Sequence, residues 1–396
     1  MLKRDKYLEK LILYKDTEFI KVITGVRRSG KSTLLLLFRN HLKSEGINNI
    51  LFINFEHPDT FKIQDYESLY EYIKSNVSKE EKVYFLFDEI QEVKEWQKLV
   101  NGLRIAYDCD IYITGSNATL LSGELATYLT GRYVEIKVLP FTFSEIIEFK
   151  ELDTDKEIQL AFNEYLKFGG FPAIVKLDDD LLKQEVLRGI YNSVILKDVS
   201  LRSNIEDVDM LLRISLFLMD NIGNPISVNN VSNYIRNQGY TTSHERVDTY
   251  LKLLEEAFVF YKAQRYDIRG KERLKTLGKY YVVDLGLRNT MLQRTTTNRG
   301  SQLENLVYLK LINEGYNVFV GKYDQYEIDF VCFKEDKTKY IQVAYELPKD
   351  DQRESRNLLL IKENYEKIIV TMNYLDVGVI DGINVVHIID FLREDN

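Results

Sequence analysis

Residues 25–32 read Gly25-Val26-Arg27-Arg28-Ser29-Gly30-Lys31-Ser32, a complete G-x-x-x-x-G-K-[ST] run, and Thr33 follows it. Glycines at both ends let the backbone curl until successive N–H groups face inward, as phosphate oxygens require. Lys31 is then placed to reach the β- and γ-phosphates of a nucleoside triphosphate, and the Ser32 hydroxyl to complete a Mg2+ shell. Two acids, Asp88 and Glu89, close the apolar run 83–87. Asp88 can hold Mg2+ through water, and Glu89 can act as general base on the attacking water. A third polar group follows the next apolar run, 111–114, with Asn117 the first choice and Ser116 the second. It either contacts the attacking water and γ-phosphate or only caps the following helix. Arg132 precedes the strand-like run 133–136. It is either a finger reaching a neighbouring subunit's γ-phosphate or a surface arginine.

These residues need particular elements to hold them. The β-branched run 19–24 predicts a strand entering the loop, and 32–42 a helix leaving it with its N-terminus toward the phosphates. The run 83–87 is apolar at every position, which suits a central parallel strand buried on both faces. Its terminal acids then stand at the sheet edge where open α/β sheets bind ligands. From 143 to about 203 the pattern is that of a helical lid, broken at Gly169-Gly170-Phe171-Pro172, which is either a hinge or a helix-ending loop. Helical stretches at 207–219, 227–235 and 243–254, followed by strand-like pieces at 258–263 and 279–284, predict a winged helix-turn-helix.

The charge is uneven. Net charge is −8, yet residues 262–299 carry ten Lys and Arg against three acids. That stretch is a candidate phosphate-backbone footprint for double-stranded or single-stranded DNA. The candidate recognition helix carries Glu245, Asp248, Glu255 and Glu256 against His244, Arg246 and Lys252, which suits a major groove poorly. A wing-first nucleic-acid contact and a protein–protein role therefore both stay open. At 396 residues the chain has room for two or three domains, and 45% hydrophobic with 29% charged residues is ordinary for a globular protein. Cys109 and Cys332 offer no disulfide framework and fit a reducing, cytoplasmic setting. The opening residues form a charged amphipathic stretch rather than a secretory segment, and no window approaches a membrane span.

Several motifs together resemble an uncharacterised family of bacterial and archaeal AAA+-type P-loop ATPases whose C-terminal part is a domain of unknown function. They are residues 24–33, Asp88-Glu89-Ile90-Gln91, 114–118, Gly131-Arg132, 139–145 and 168–172. The resemblance implies Asp88 as metal acid, Glu89 as catalytic acid, Asn117 as sensor and Arg132 as finger. In the last hundred residues, Glu304 on a helical stretch, Asp329 in a strand-like run and Gln342 in the next resemble the PD-(D/E)xK nuclease arrangement. Acids there bind Mg2+, and a lysine helps activate water or stabilise the pentavalent phosphate. Ala344 stands at the lysine position, leaving Lys362 or Arg353 as conceivable substitutes and a degenerate, binding-only domain as the favoured reading.

The expectation is thus an α/β multidomain chain: P-loop ATPase domain 1–142, helical lid 143–203, winged helix 204–299 and nuclease-like domain 300–396. ATP and Mg2+ are the expected cofactors, with self-association and no membrane partner. ATP hydrolysis would control a C-terminal module acting on nucleic acid. The alternatives are a nucleotide-gated DNA- or protein-binding switch with negligible turnover, and an ATP-regulated nuclease.

Overall fold

The computed structural model describes residues 4–118, 131–201, 205, 207–294, 298–347 and 353–394. The chain forms two compact units, Met1–Pro140 with Glu256–Phe258, and Phe141–Glu255 with Val259–Asn396. The expected boundary at 203/204 lies outside the described residues.

The first unit is built on five parallel strands in the order β2-β3-β4-β1-β5. These are β1 (Ile20–Thr24), β2 (Ile50–Asn54), β3 (Val83–Asp88), β4 (Cys109–Gly115) and β5 (Tyr133–Lys137). β1 and β3 are buried at every position, as a strand covered by helices on both faces must be. The two-residue period of β3 divides its side chains between two cores. Phe85 and Phe87 pack with Leu69, Ile73, Leu99 and Leu103 from the helices Tyr66–Asn76 and Trp96–Ala106. Tyr84 and Leu86 pack on the other face with Leu34, Leu35 and Phe38 of the helix Lys31–Ser44. Parallel register sends every strand's C-terminus to one edge, so Thr24 pairs with Gly115 and Asn54 with Asp88.

The second unit holds a nine-stranded mixed sheet. Three helices, Val208–Asp220, Val228–Asn237 and His244–Glu256, lead to a hairpin of β7 (Phe260–Asp267) and β8 (Glu272–Val282), with the short β6 (Pro225–Ile226) against β8. The strands β9 (Asn317–Tyr323), β10 (Tyr326–Lys334), β11 (Lys337–Ala344), β12 (Glu366–Thr371), β13 (Gly378–Ile380) and β14 (Ile383–His387) complete the sheet. β7 pairs in parallel with β9, so the segments on either side of residue 299 share one continuous sheet. The hairpin also differs from its sequence pattern. Phe258 has φ +57, and Asp284 caps a helix instead of ending a strand. β8 meanwhile runs back to Glu272 through charged residues that mask its alternation.

The Gly169-Gly170-Phe171-Pro172 turn is pinned, which fits a helix-ending loop and not a hinge. Gly169 ends the helix Asp155–Phe168 at φ +72, and a Cβ there would stand 2.0 Å from Asp284 Oδ1. The Gly170 N–H donates to Asp284 Oδ2 at 2.7 Å, and the Gly286 N–H to Oδ1 at 2.8 Å. Burial pushes the Asp284 carboxyl up to about 6, against the pull of those N–H groups. A folded-state pKa above the unfolded value means the native state binds the extra proton between pH 4 and 6, so stability rises as pH falls through that window. Comparing wild type with Asp284→Asn by urea unfolding should show wild type gaining up to about 3 kcal/mol relative to the variant from pH 7 to pH 4.

Candidate nucleotide site

The loop 25–30 lies between β1 and the helix Lys31–Ser44, as a strand–loop–helix phosphate site requires. Gly25 has φ +141, and a Cβ there would collide with the Val138 carbonyl oxygen at 2.1 Å. Only glycine allows that approach. Arg28 and Gly30 also take positive φ, at 67° and 102°, the left-handed conformations from which anion-binding loops are built. From outside, the Arg4 guanidinium braces the loop, donating to Ser29 O at 2.9 Å and Leu139 O at 3.0 Å. Val26 is fully buried, Arg27 pairs with Glu56 at 3.0 Å, and Thr33 is half-buried in the helix's first turn.

Lys31 is buried, and its ammonium bridges Gly25 O at 3.0 Å and Val26 O at 3.2 Å while lying 3.8 Å from Glu89. The Ser32 hydroxyl donates to Asp88 Oδ1 at 3.0 Å. Glu89 stands just past β3 in the left-handed region, φ +57, with its carboxylate accepting from the Gln91 amide. Two residues missed in the sequence complete this centre. The Thr114 hydroxyl donates to Asp88 Oδ1 at 2.6 Å and accepts the Glu89 N–H at 2.9 Å, and the Asn54 amide donates to Asp88 Oδ2 at 2.8 Å. Their signal was a polar residue at the C-terminal end of a neighbouring strand. Burial pushes the Asp88 carboxyl upward despite the Thr114 and Ser32 hydroxyls. Asn117 and Ser116 are both buried just beyond β4.

Arg132 stands apart from this centre. It precedes β5, and its carbonyl accepts the Ile20 N–H at 3.0 Å, at the N-terminal end of β1. The phosphate loop begins at the other end of that five-residue strand, about 13 Å away at ~3.3 Å per residue. Arg132 is exposed at that end of the sheet.

In the second unit, Glu304 lies on the helix Arg299–Asn313, Asp329 on β10 and Gln342 on β11. Glu304 and Asp329 surround Lys279 of β8, a residue of the basic stretch, and Gln342 joins them through the Asp329 N–H. Lys279 is 3% exposed and Arg288 fully buried, so neither belongs to a surface footprint. Lys262, Arg269, Lys271 and Arg273 of the hairpin are exposed. Burial and then the Asp329 charge push the Glu304 carboxyl up to about 7, against Lys279 and the Tyr281 hydroxyl. Lys362 is exposed beyond the helix Arg353–Leu359, and the Arg353 and Lys275 side chains lie outside the described residues.

Residues 17–147 match a family model described as an AAA domain, and residues 159–298 one described as a domain of unknown function. An uncharacterized protein of Haemophilus influenzae is 46% identical over 100% of this chain and 99% of its own length. An uncharacterized protein of Methanocaldococcus jannaschii is 34% identical over 83% of this chain and 75% of its own. The chain belongs to this family of AAA-domain proteins. Its fold is also similar to that of the Walker-type ATPase PABY2304 of Pyrococcus abyssi, with TM-score 0.52 and 17% identity, over 74% of this chain and 96% of that one. The first unit of the AAA-domain protein is thus a parallel-sheet, P-loop ATPase-type domain, and the second a mixed-sheet domain. Among the described residues no helix is long and apolar enough to cross a membrane.

Thr114 joins strand tip to acid, so Thr114→Val leaves Asp88 Oδ1 and the Glu89 N–H each short of one buried partner. Thermal unfolding should show a loss of about 1–3 kcal/mol.

Proposed function

We propose that the first unit binds ATP with Mg2+ and hydrolyses it, and that the nucleotide state controls a second unit that engages nucleic acid. The observation that carries the reading is the convergence of Ser32, Thr114 and Asn54 on Asp88 at one sheet edge, with Lys31 beside the neighbouring Glu89. The residues suit a Mg2+–nucleotide. Among the described residues the Ser29 hydroxyl is buried with no hydrogen-bond partner, and a side chain at Gly25 would collide with the Val138 carbonyl. Residues Gly25 to Thr33 would cradle the phosphates, Lys31 would meet the β/γ oxygens, and Ser32 with Asp88 would hold the metal ion. A bound Mg2+ supplies charge neutralisation on the phosphates and reverses the cost of ionising Asp88. Glu89 takes the proton of the attacking water, and Asn117 orients that water.

Arg132 belongs to this scheme through a neighbour. Its distance from its own loop supports action across a subunit boundary, which makes self-association a condition of full turnover. For the second unit, three helices followed by a hairpin with exposed Lys262, Arg269, Lys271 and Arg273 support a winged-helix reading with DNA held by the hairpin. A switch with negligible turnover is the second reading, favoured by the Lys31 contacts with its own loop carbonyls.

ATP turnover measured against protein concentration, with and without double- and single-stranded DNA, tests the scheme. The specific rate should rise with concentration. Lys31→Ala should abolish it, and Glu89→Gln should lower it about 10²–10⁴-fold while retaining ATP. Tight ATP binding without turnover at any concentration selects the switch instead. Mixing inactive Arg132→Ala with inactive Lys31→Ala should restore part of the activity, and none returns if the arginine does not act in trans. Charge reversal of Lys271 and Arg273 should weaken DNA binding and flatten its salt dependence by about one unit per lost phosphate contact.

A further inference from the structure

The Lys279 ammonium lies 2.9 Å from Glu304 Oε1, 2.9 Å from Glu327 Oε1 and 3.5 Å from Asp329 Oδ1. An ammonium has three N–H donors; one donates to Glu304, and the Glu327 and Asp329 carboxylates pair with the same charge. The two-residue period of β8 sends Lys279 and Tyr281 to one face, and the Tyr281 hydroxyl donates to the same Glu304 oxygen at 2.6 Å. Further oxygens of the set accept backbone donors. Asp329 Oδ2 accepts the Val343 N–H at 2.9 Å, and Gln342 Oε1 accepts the Asp329 N–H at 2.6 Å. The Gln342 amide donates to Glu354, and Glu304 Oε2 faces Gly223, where a Cβ would come within 3.1 Å. Glu304 Oε1, Asp329 Oδ2 and Gln342 Oε1, oxygens that a divalent cation would need, are therefore each already engaged by a protein donor.

We propose that Lys279 is the resident cation of this cluster, standing where nucleases of the resembled type hold a divalent metal ion, so that the second unit holds nucleic acid without cutting it. The proposal rests on the reading of Glu304, Asp329 and Gln342 as a nuclease-like set. It explains how the set persists with Ala344 in the lysine position. Removing one partner of a buried charge cluster leaves the others uncompensated, so the same lysine that closes the site also ties β8 of the hairpin to the helix Arg299–Asn313 and to β10.

The test uses the full-length protein without nucleotide and Mn2+ as probe, following the free-ion electron paramagnetic resonance signal. Any ion held at the phosphate loop cancels when each protein is compared with its own Asp329→Asn version. Wild type and Asp329→Asn should bind Mn2+ alike, and neither should cut plasmid or single-stranded DNA. Lys279→Met should gain a site, lost again in Lys279→Met/Asp329→Asn, that binds at least about tenfold tighter than wild type. Lys279→Arg should gain none. If Lys279→Met does not fold, Lys279→Met/Glu327→Gln removes one uncompensated carboxylate and serves in its place. Asp329-dependent Mn2+ binding or DNA cutting by wild type overturns the proposal while leaving the nuclease-like reading intact, with Lys279 then the displaced amine. No gain in either folded Lys279 variant overturns both.

Discussion

Parallel pairing of β1, β3 and β4 is the constraint on which the nucleotide site depends. It sends three strand ends to one edge, where the loop after Thr24, the acids after Phe87 and the hydroxyl of Thr114 meet. Asp88 is the joint. Its two oxygens take donors from β2, β4 and the first helical turn after the loop, so three elements are registered on one carboxylate. Such a carboxylate is costly to ionise when buried, and hydroxyl donors offset part of that cost. A metal ion beside Ser32 would supply the remainder. The same register places Arg132 at the far edge, away from its own loop.

The second unit solves a different problem with the same kind of device. Its sheet joins a helix-rich front half to a β-rich back half through the β7–β9 pair, and the interior face of β8 carries a lysine. One buried ammonium among three carboxylates holds the hairpin, a helix and β10 in fixed relation. Asp284 does similar work nearby, receiving N–H groups from the Gly169-Gly170 turn and from the helix it caps. Both sites are specific because a buried charge must find its partners.

Much of the first unit was legible in the chain itself. The loop Gly25–Ser32, the apolar run of β3 and its terminal acids depend on local spacing, and local spacing is what a sequence displays. Thr114 and Asn54 were not legible as site residues, because nothing local distinguishes a polar strand end that faces Asp88 from one that faces solvent. The basic stretch 262–299 shows the same limit. Its count is a fact of sequence, but burial of Lys279 and Arg288 depends on which face of β8 and of the helix Leu285–Leu292 meets the core.

The sequence by itself determined a phosphate loop, its acids, and the acidic residues Glu304 and Asp329 near the C-terminus. Only the tertiary structure decided that Asp88 is shared by three elements, that Arg132 lies beyond reach of its own loop, and that a lysine 25 residues before Glu304 fills the acid cluster. The physical reason is that hydrogen bonds within a loop are set by neighbours in the chain. The partners of a buried charge are instead set by strand order and register, which join residues far apart in sequence.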